Sequence, residues 1–312
     1  MIKEALLTSD IEGIHTTLED VYTHALSNQA SPMNKNTQLV VNYTKALERA
    51  HDMMKEQGYP LVSRVILAAH ETLMRVGEGD KSDPGHFRAQ SVRVGNLIPP
   101  SAPHIPNLIS DLERFINSDD KQTHPLIKAG LAHVQFETIH PFLDGNGRIG
   151  RLLIVLMLLQ DGLLDHPILY PSYYFKKYRY DYYQALDRVR THGDYEGWIV
   201  YYLRSIKESA QDALKRAHTL EDLEKNILVQ IEQDPMFHKT RDTARKSLQI
   251  LFQKPLLNIK DLAQGIEKTY NTAQKMMDFF VACGVIEDIS QSKRMRQYRF
   301  TSYLNILEKE IQ

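Results

Sequence analysis

The sequence has one cysteine, almost no net charge and no long apolar run, and each shortage excludes a class of protein. Cys283 alone excludes an internal disulfide framework and is typical of a reducing compartment. A formal net charge of −1 leaves no global field to attract nucleic acid or a membrane surface. The longest apolar run, residues 152–159, is far shorter than the ~20 residues that cross a bilayer. No stretch at the N-terminus has the order of a signal peptide. We therefore expect a cytoplasmic protein without a membrane segment.

The remaining composition is typical of a globular protein, with 42% hydrophobic and 25% charged residues. A chain of 312 residues suggests one large domain or two. Apolar residues recur at helical spacing along most of the chain, so we expect a mainly α fold. The predicted helices lie near residues 34–58, 62–76, 105–116, 125–139, 178–190 and 198–220, with shorter ones near 248–252, 259–263 and 271–283. For the last of these, Asn271 or Thr272 is a suitable N-cap and Gly284 a stop.

One stretch, residues 140–151, concentrates the polar chemistry of the chain. It reads His-Pro-Phe-Leu-Asp-Gly-Asn-Gly-Arg-Ile-Gly-Arg and holds an imidazole, a carboxylate, an amide and two guanidinium groups. A helical pattern beginning at Pro125 precedes it, and residues 152–159 that follow are apolar on all sides, as in a buried helix. The stretch is therefore predicted to be a loop that runs into the N-terminus of a buried helix.

Such a loop is suited to an anion. A helix N-terminus carries unpaired N–H groups and the positive end of a dipole, and glycines let the backbone approach a ligand. Arg148 and Arg151 are three residues apart, so both can donate to phosphate groups from one side of the helix. Asp144 is an oxygen ligand of the kind that Mg²⁺ takes, and His140 can accept a proton at neutral pH.

Three other interpretations of this stretch are weaker. The spacing Gly145-x-Gly147-x-x-Gly150 matches the dinucleotide fingerprint, which requires a preceding strand, but the preceding segment has a helical pattern. A calcium loop counted from Asp144 would need Gly at its sixth position and Glu at its twelfth, where the chain has Ile149 and Val155. A glycine-rich surface turn would leave the cluster of five site-type side chains unexplained.

The stretch resembles the signature of the Fic family, H-P-F-x-(D/E)-G-N-G-R-x-x-R, at every fixed position. The resemblance implies a Fic-fold helical bundle that moves AMP from ATP to a protein hydroxyl with Mg²⁺. It implies that His140 is the base and that Asp144 holds Mg²⁺. It further implies that residues 145–151 bind the nucleotide. Gly145, Asn146 and Gly147 would then contact the α- and β-phosphates, Arg148 the β-phosphate and Arg151 the γ-phosphate, with Ile149 and Gly150 in the same stretch.

The N-terminal residues Thr8-Ser9-Asp10-Ile11-Glu12-Gly13 resemble the inhibitory helix of the same family, which has Ser or Thr four residues before Glu. By themselves, Thr8 and Glu12 are i and i+4 on one helix face, and Glu12 would be a solvated residue. The resemblance implies instead that Glu12 engages Arg151, because a carboxylate held on an arginine occupies the fork that a phosphate needs.

Two further segments flank the predicted site. Residues 86–96 alternate loosely and end in Gly95-Asn96, so they are predicted to form a short β-hairpin; the resemblance makes residues 87–96 a flap where a protein target docks. Tyr182 and Tyr183 lie in a helical pattern, where tyrosines usually pack in the core. The family has an aromatic residue near this position in the adenine pocket, which assigns Tyr183, and less strongly Tyr182, to nucleotide binding.

The C-terminal third resembles a winged helix, with three short helices followed by predicted strands at residues 285–289 and 297–300. The connecting wing and its last strand hold Lys293, Arg294, Arg296 and Arg299, which suit phosphate contact. The predicted recognition helix offers only Lys275, offset by Asp278, so a protein–protein or homodimer module is favoured over DNA binding.

The sequence therefore predicts an inhibitory region at residues 1–30, a Fic catalytic domain at 31–218 and a winged-helix-like domain at 219–312. The expected activity is protein adenylyl transfer from Mg-ATP to a Ser, Thr or Tyr hydroxyl. Removal of AMP, use of another nucleotide, and a nucleotide-sensing DNA-binding regulator remain as alternatives.

Overall fold

The computed structural model describes residues 1–26, 34–75, 83–95, 97–120, 122–290 and 296–309. The chain divides into two compact units. The first contains Met1–Thr16 and Asn34–Ala213, and the second contains Thr17–Met33 and Leu214–Gln312. The domain boundaries expected at residues 30 and 218 remain a prediction.

The fold is mainly helical, as predicted. None of the helices in the described part of the chain combines the length and apolar character that crossing a bilayer requires. In chain order the helices are α1 (Ile2–Ile11), α2 (Leu18–Leu26), α3 (Lys35–Lys55), α4 (Ser63–Met74), α5 (Ile105–Ile116), α6 (Pro125–Ile139), α7 (Asn146–Gln160), α8 (Ser172–Lys177), α9 (Arg179–His192), α10 (Tyr195–Gln233), α11 (Arg241–Gln253), α12 (Ile259–Gly265), α13 (Tyr270–Ala282) and α14 (Thr301–Glu308).

Helix α7 is the centre of the first unit. Every side chain from Leu152 to Leu158 is at most 1% exposed, which confirms the prediction of a buried helix. Helices α1, α3, α4 and α6 pack around it. Because apolar side chains cover all sides of α7, its polar residues are concentrated in the first turn and in the loop before it.

Helix α1 lies against α8, α3 and α7, and polar contacts hold it there. The buried Glu4 carboxylate accepts hydrogen bonds from Ser172 N at 3.2 Å and from Ser172 Oγ at 2.5 Å, at the N-terminus of α8. Asp10 pairs with Lys176 at 2.7 Å. Burial raises the pKa of Glu4 to about 7, although its hydrogen bonds with Ser172 oppose the shift. Helix α1 is therefore held against α8 by hydrogen bonds from Ser172 to Glu4 and by the ion pair between Asp10 and Lys176.

The segment predicted as a flap hairpin has less β structure than expected. A single antiparallel bridge joins Val94 and Leu97, and no described residue between 83 and 100 lies in a regular strand. Asn96, within the predicted flap, lies outside the described residues. The physical reason is that the Arg88 side chain donates hydrogen bonds to the carbonyls of Gln90 and Pro100, which are then not available for pairing between two strands.

The second unit contains α2, α11–α14 and a three-stranded antiparallel sheet. Its strands, β1 (Leu256–Asn258), β2 (Glu287–Asp288) and β3 (Gln297–Arg299), lie in the order β1-β3-β2. In the register, Arg299 is opposite Leu256 on one side and Glu287 on the other. Strand β1 and helix α14 were not predicted. The N-cap of α13 is Thr269, whose side chain accepts from Thr272 N, and not Asn271 or Thr272 as predicted.

The predicted wing is only partly described. Lys293 and Arg294 lie outside the described residues. Arg296 pairs with Asp278 at 3.4 Å, and Arg299 pairs with Glu19 at 3.4 Å. Both described wing arginines are therefore paired with carboxylates of their own unit.

Candidate active site

The loop between α6 and α7 is held by its own residues. Phe142 N donates to Asn146 Oδ1 at 2.8 Å, and Asn146 Nδ2 donates to Phe142 O at 2.9 Å. Gly145 adopts a φ of +80°, a left-handed conformation that favours glycine, immediately before the helix begins. The Asn146 side chain is thus engaged within the loop, and the first N–H groups of α7 point to the space above the helix.

His140 ends α6 in the left-handed conformation, with φ 49° and ψ 62°. Its imidazole is half-buried at the edge of the loop. Burial lowers the pKa of His140 to about 4, and the charges of Arg190 and Arg88 act in the same direction. The imidazole is therefore neutral at physiological pH and able to accept a proton.

Arg148 and Arg151 project from α7 and are buried, at 1% and 0% exposure. Arg148 Nη2 lies 3.6 Å from Asp144 Oδ1, while Arg148 Nε and Nη1 have no hydrogen-bond partner among the described residues. Burial lowers the pKa of Arg148. Buried donors in native proteins are nearly always paired, so these two nitrogen atoms indicate a place for an acceptor group of a ligand.

Arg151 is engaged by the N-terminal helix. Its Nε donates to Thr8 Oγ1 at 2.7 Å, and its Nη2 donates to Thr8 O at 3.1 Å and to Glu12 Oε1 at 2.5 Å. Burial alone would raise the pKa of Glu12, but the adjacent Arg151 guanidinium outweighs it, so the pKa is lowered. Conversely, burial acts to lower the pKa of Arg151, and Glu12 raises it above its ordinary value. The pair is charged at neutral pH.

The Glu12 carboxylate also covers the first turn of α7. A Cβ placed on Gly147 would lie 2.2 Å from Glu12 Oε1 and 3.1 Å from the terminal nitrogens of Arg151. The space that glycine leaves open is the concavity that suits an anion at a helix N-terminus, and Glu12 fills part of it. The site thus holds an anionic group of the chain itself.

Asp144 is the carboxylate available for a metal ion. Its side chain is 67% exposed, and its Oδ1 accepts from Gly145 N at 2.6 Å. One exposed carboxylate beside the N-terminus of α7 is the donor set that Mg²⁺ takes when substrate phosphates complete its shell. The residues present therefore fit this ion in combination with a nucleotide.

The two tyrosines of α9 have different environments. Tyr182 is 1% exposed, and its hydroxyl lies 2.8 Å from His133 Nε2 in the core. Tyr183 is 40% exposed, and its ring centroid lies 5.8 Å from the Arg179 guanidinium carbon. Burial raises the pKa of Tyr183, and the Glu12 charge adds to this shift. Of the pair, Tyr183 is the one whose ring is open to a ligand.

Ile149 and Gly150 lie on another side of α7. Ile149 is buried and donates its N–H to Gly145 O, while the Gly150 carbonyl lies 2.8 Å from His133 Nδ1. A Cβ at Gly150 would lie 2.4 Å from Glu137 Oε1 on α6. Both residues support the packing of α7, and neither directs a polar group towards Glu12.

Sequence reasoning missed two residues that hold the loop. Buried His70 on α4 lies 3.0 Å from Asp144 O through Nε2 and accepts from Gly85 N at 3.0 Å through Nδ1. Its ring stacks on Phe142 with centroids 3.7 Å apart. Arg88, in the segment predicted as a flap, is 2% exposed. Arg88 has no local pattern that indicates burial. His70 lies four residues after Ile66 and three before Leu73 in the helical pattern of α4, and this spacing could have indicated its burial.

Two family models match the chain, and one of them covers the loop between α6 and α7. The model described as Fic/DOC family matches residues 60–158, and the model described as Fic/DOC family N-terminal matches residues 1–52. The protein adenylyltransferase Fic of Drosophila erecta is 37% identical over 135 residues, which are 43% of this chain and 26% of that protein. The chain thus matches about a quarter of the length of these curated relatives.

Solved structures show the same fold. A Fic family protein from Desulfovibrio desulfuricans G20 is 24% identical and covers 100% of this chain and 87% of its own, with a TM-score of 0.59. Fic-1 from C. elegans is 22% identical and covers 70% of this chain and 63% of its own, with a TM-score of 0.58. At these identities the likeness concerns the fold alone.

Proposed function

Because the chain carries a Fic/DOC family domain, we propose that it transfers AMP from Mg-ATP to a hydroxyl of a protein side chain. One observation carries the proposal. Two buried guanidinium groups, Arg148 and Arg151, converge on the N-terminus of α7, beside a neutral imidazole and an exposed carboxylate. A triphosphate is the ligand that such a concentration of buried cations suits.

In this proposal each group has a defined task. His140 takes the proton of the target hydroxyl, whose oxygen attacks the α-phosphorus of ATP. The bond between that phosphorus and the oxygen that bridges it to the β-phosphate breaks, and pyrophosphate leaves with the electron pair. The first turn of α7, Arg148 and Arg151 hold the phosphates in line and neutralise their charge. Asp144 would hold Mg²⁺, which supplies further charge neutralisation. Tyr183 is proposed to contact the adenine ring of ATP.

We further propose that Glu12 inhibits this reaction. Its carboxylate engages Arg151 and lies over Gly147, in the space that a terminal phosphate would need. Two like charges in one site repel each other, so nucleotide binds with its full phosphate chain only when Glu12 withdraws. Thr8, which binds the same guanidinium, holds α1 in the inhibiting position.

The first test is labelling with α-labelled ATP and Mg²⁺, followed by intact mass and gel autoradiography of the protein alone and with cell extract. Glu12→Gly should incorporate more AMP than the unaltered chain. Adding His140→Ala should abolish incorporation while calorimetry still detects ATP binding. The control is His104→Ala, because His104 is an exposed histidine of the same unit. Full transfer by the His140→Ala variant would refute the assignment of His140 as the general base.

Further parts of the proposal concern partners and place. We assign target docking to the segment around residues 87–96, which lies next to the loop of His140 through the bond from Arg88 N to Pro141 O at 2.9 Å.

We propose that the second unit is a winged helix, from its order of three helices and a hairpin, and that it binds protein, or a second copy of the chain, in preference to DNA. The pairing of Arg296 with Asp278 supports this preference. The single Cys283 supports a cytoplasmic location.

A further inference from the structure

Arg88 is a buried cation whose hydrogen bonds all go to carbonyl oxygens. Its Nε donates to His140 O at 2.8 Å, and its Nη1 donates to Gln90 O at 2.9 Å. Its Nη2 donates to Pro100 O at 2.6 Å and, more weakly, to Ile139 O at 3.5 Å. Within the described ranges no carboxylate forms an ion pair with it. The side chain is only 2% exposed, and burial lowers its pKa.

Burying a guanidinium without a carboxylate partner is unfavourable unless hydrogen bonds to carbonyl oxygens offset the lost hydration. A buried charge without a counter-ion loses its hydration, whereas each hydrogen bond to the charged group restores part of that loss. The planar fork of arginine reaches several acceptors in fixed directions, which the single ammonium of lysine does not. The geometry thus depends on the guanidinium shape of Arg88 as well as on its charge.

The four carbonyls lie at two places in the fold. Ile139 and His140 form the C-terminal end of α6, where the helix dipole is negative and a cation is favourable. Gln90 and Pro100 lie at the two ends of the segment that follows Arg88, so one side chain closes that segment. Arg88 therefore joins the end of α6 to Gln90, within the segment proposed for target docking, and to Pro100, just beyond it.

His140 needs such support because its backbone is left-handed. A φ of +49° is an unfavourable conformation for a residue with a side chain. That conformation turns the chain sharply after α6 and sets the direction of the imidazole. Two bonds fix the turn from the same residue: Arg88 Nε to His140 O, and Arg88 N to Pro141 O at 2.9 Å.

We infer that Arg88 is a positioning residue for His140: it holds the left-handed turn that directs the imidazole and ties that turn to the segment between Gln90 and Pro100. The inference rests on the proposed function, because the imidazole is taken to be the base. The buried Arg88 guanidinium is separate from the two guanidinium groups of α7 that are proposed to bind the phosphates. Its loss changes the direction of the base and leaves the phosphate site on α7 intact.

The test uses Arg88→Lys and Arg88→Ala in the Glu12→Gly background, with kcat, KM for Mg-ATP and Kd for Mg-ATP measured for each. Misdirecting a reacting group by about 1 Å lowers the rate on the order of 100-fold. We expect kcat to fall by about that factor in both variants, while KM and Kd change less than about threefold. Added guanidinium ion should partly restore kcat in Arg88→Ala and not in Arg88→Lys. The control is Arg114→Lys, since Arg114 is an exposed arginine of the same unit that lies on α5, outside the segment proposed for target docking.

A second readout needs no activity. Carbethoxylation by diethylpyrocarbonate, mapped by mass spectrometry, should modify His140 at least several-fold faster in the Arg88 variants, while buried His133 stays protected. Protection of His133 shows that the fold is intact. Unchanged kcat together with unchanged His140 reactivity would overturn the inference, as would an equal loss of kcat and ATP affinity. If the Glu12→Gly parent transfers no AMP, the proposed function fails, and the reactivity of His140 alone decides the role of Arg88.

Discussion

Removing the Glu12 carboxylate should tighten the binding of Mg-ATP by about 30-fold. Glu12 Oε1 lies 2.5 Å from Arg151 Nη2 and fills the space over Gly147, so a phosphate entering there meets a like charge within a few ångströms. At about 4 Å and an effective dielectric constant of about 20, that repulsion is about 4 kcal/mol. The Glu12 side chain is 31% exposed, so solvent screening reduces the figure to roughly 2 kcal/mol. An energy of about 2 kcal/mol corresponds to about 30-fold in Kd.

The assay is calorimetric titration of Mg-ATP and Mg-ADP into His140→Ala protein with and without Glu12→Gly, so that no turnover disturbs the measurement. Because Arg151 is proposed to contact the terminal phosphate, the gain should be larger for ATP than for ADP. Glu12→Gln removes the charge and keeps the volume, so it should give a smaller gain than Glu12→Gly. Glu56→Gln, at an exposed position after α3, serves as the control. A Kd for Mg-ATP within threefold of the parent in Glu12→Gly would refute the reasoning.

Two predictions concern stability. Burial raises the pKa of Glu4 from 4.5 to about 7, so its contribution to stability is complete below about pH 4.5 and is lost as pH rises through 7. Relative to Glu4→Gln, the unaltered chain should therefore lose up to about 3 kcal/mol of unfolding free energy between pH 5 and 8, measured with urea; parallel profiles would contradict this. Gly130→Ala should lower stability by about 1–3 kcal/mol in thermal denaturation, because the new Cβ would lie 2.6 Å from the buried Tyr202 ring. An unchanged Tm would show that the ring moves freely.

The comparison for Glu4 requires the variant because other buried groups titrate in the opposite sense. Burial lowers the pKa of His70 to about 4 and that of His133 to about 3. Their contribution to stability rises with pH until their unfolded value of 6.5 is passed. The difference between parent and Glu4→Gln cancels these contributions and isolates the carboxyl group.

Most of the helices could be predicted from the sequence, because helical periodicity is a local property. Helix α5 begins and ends at the predicted residues, Ile105 and Ile116, and the buried character of α7 follows from its unbroken apolar run. The unpredicted strand β1 has only three residues and owes its conformation to pairing with β3. The N-cap of α13 was wrong for a related reason, since Thr269, Asn271 and Thr272 are all suitable caps and packing selects one of them.

The candidate site divides in the same way. The sequence by itself predicted the loop that we propose to bind an anion, because the glycines, the two arginines and the start of α7 lie within one short stretch. The resemblance supplied the contact between Glu12 and Arg151, which the structure contains. Only the tertiary structure distinguishes buried Tyr182 from exposed Tyr183, because both are tyrosines of the same helix.

Only the tertiary structure decided which distant residues hold the site in place. Glu4 and Arg88 have ordinary sequence surroundings, and each becomes buried through contacts with residues far along the chain. The acceptors of Arg88 are main-chain carbonyls, which every residue carries, so no side-chain pattern could identify them. The short stretch of sequence supplies the groups proposed to bind phosphate. Long-range packing fixes their orientation, because burial and hydrogen-bond partners exist only once the chain has folded.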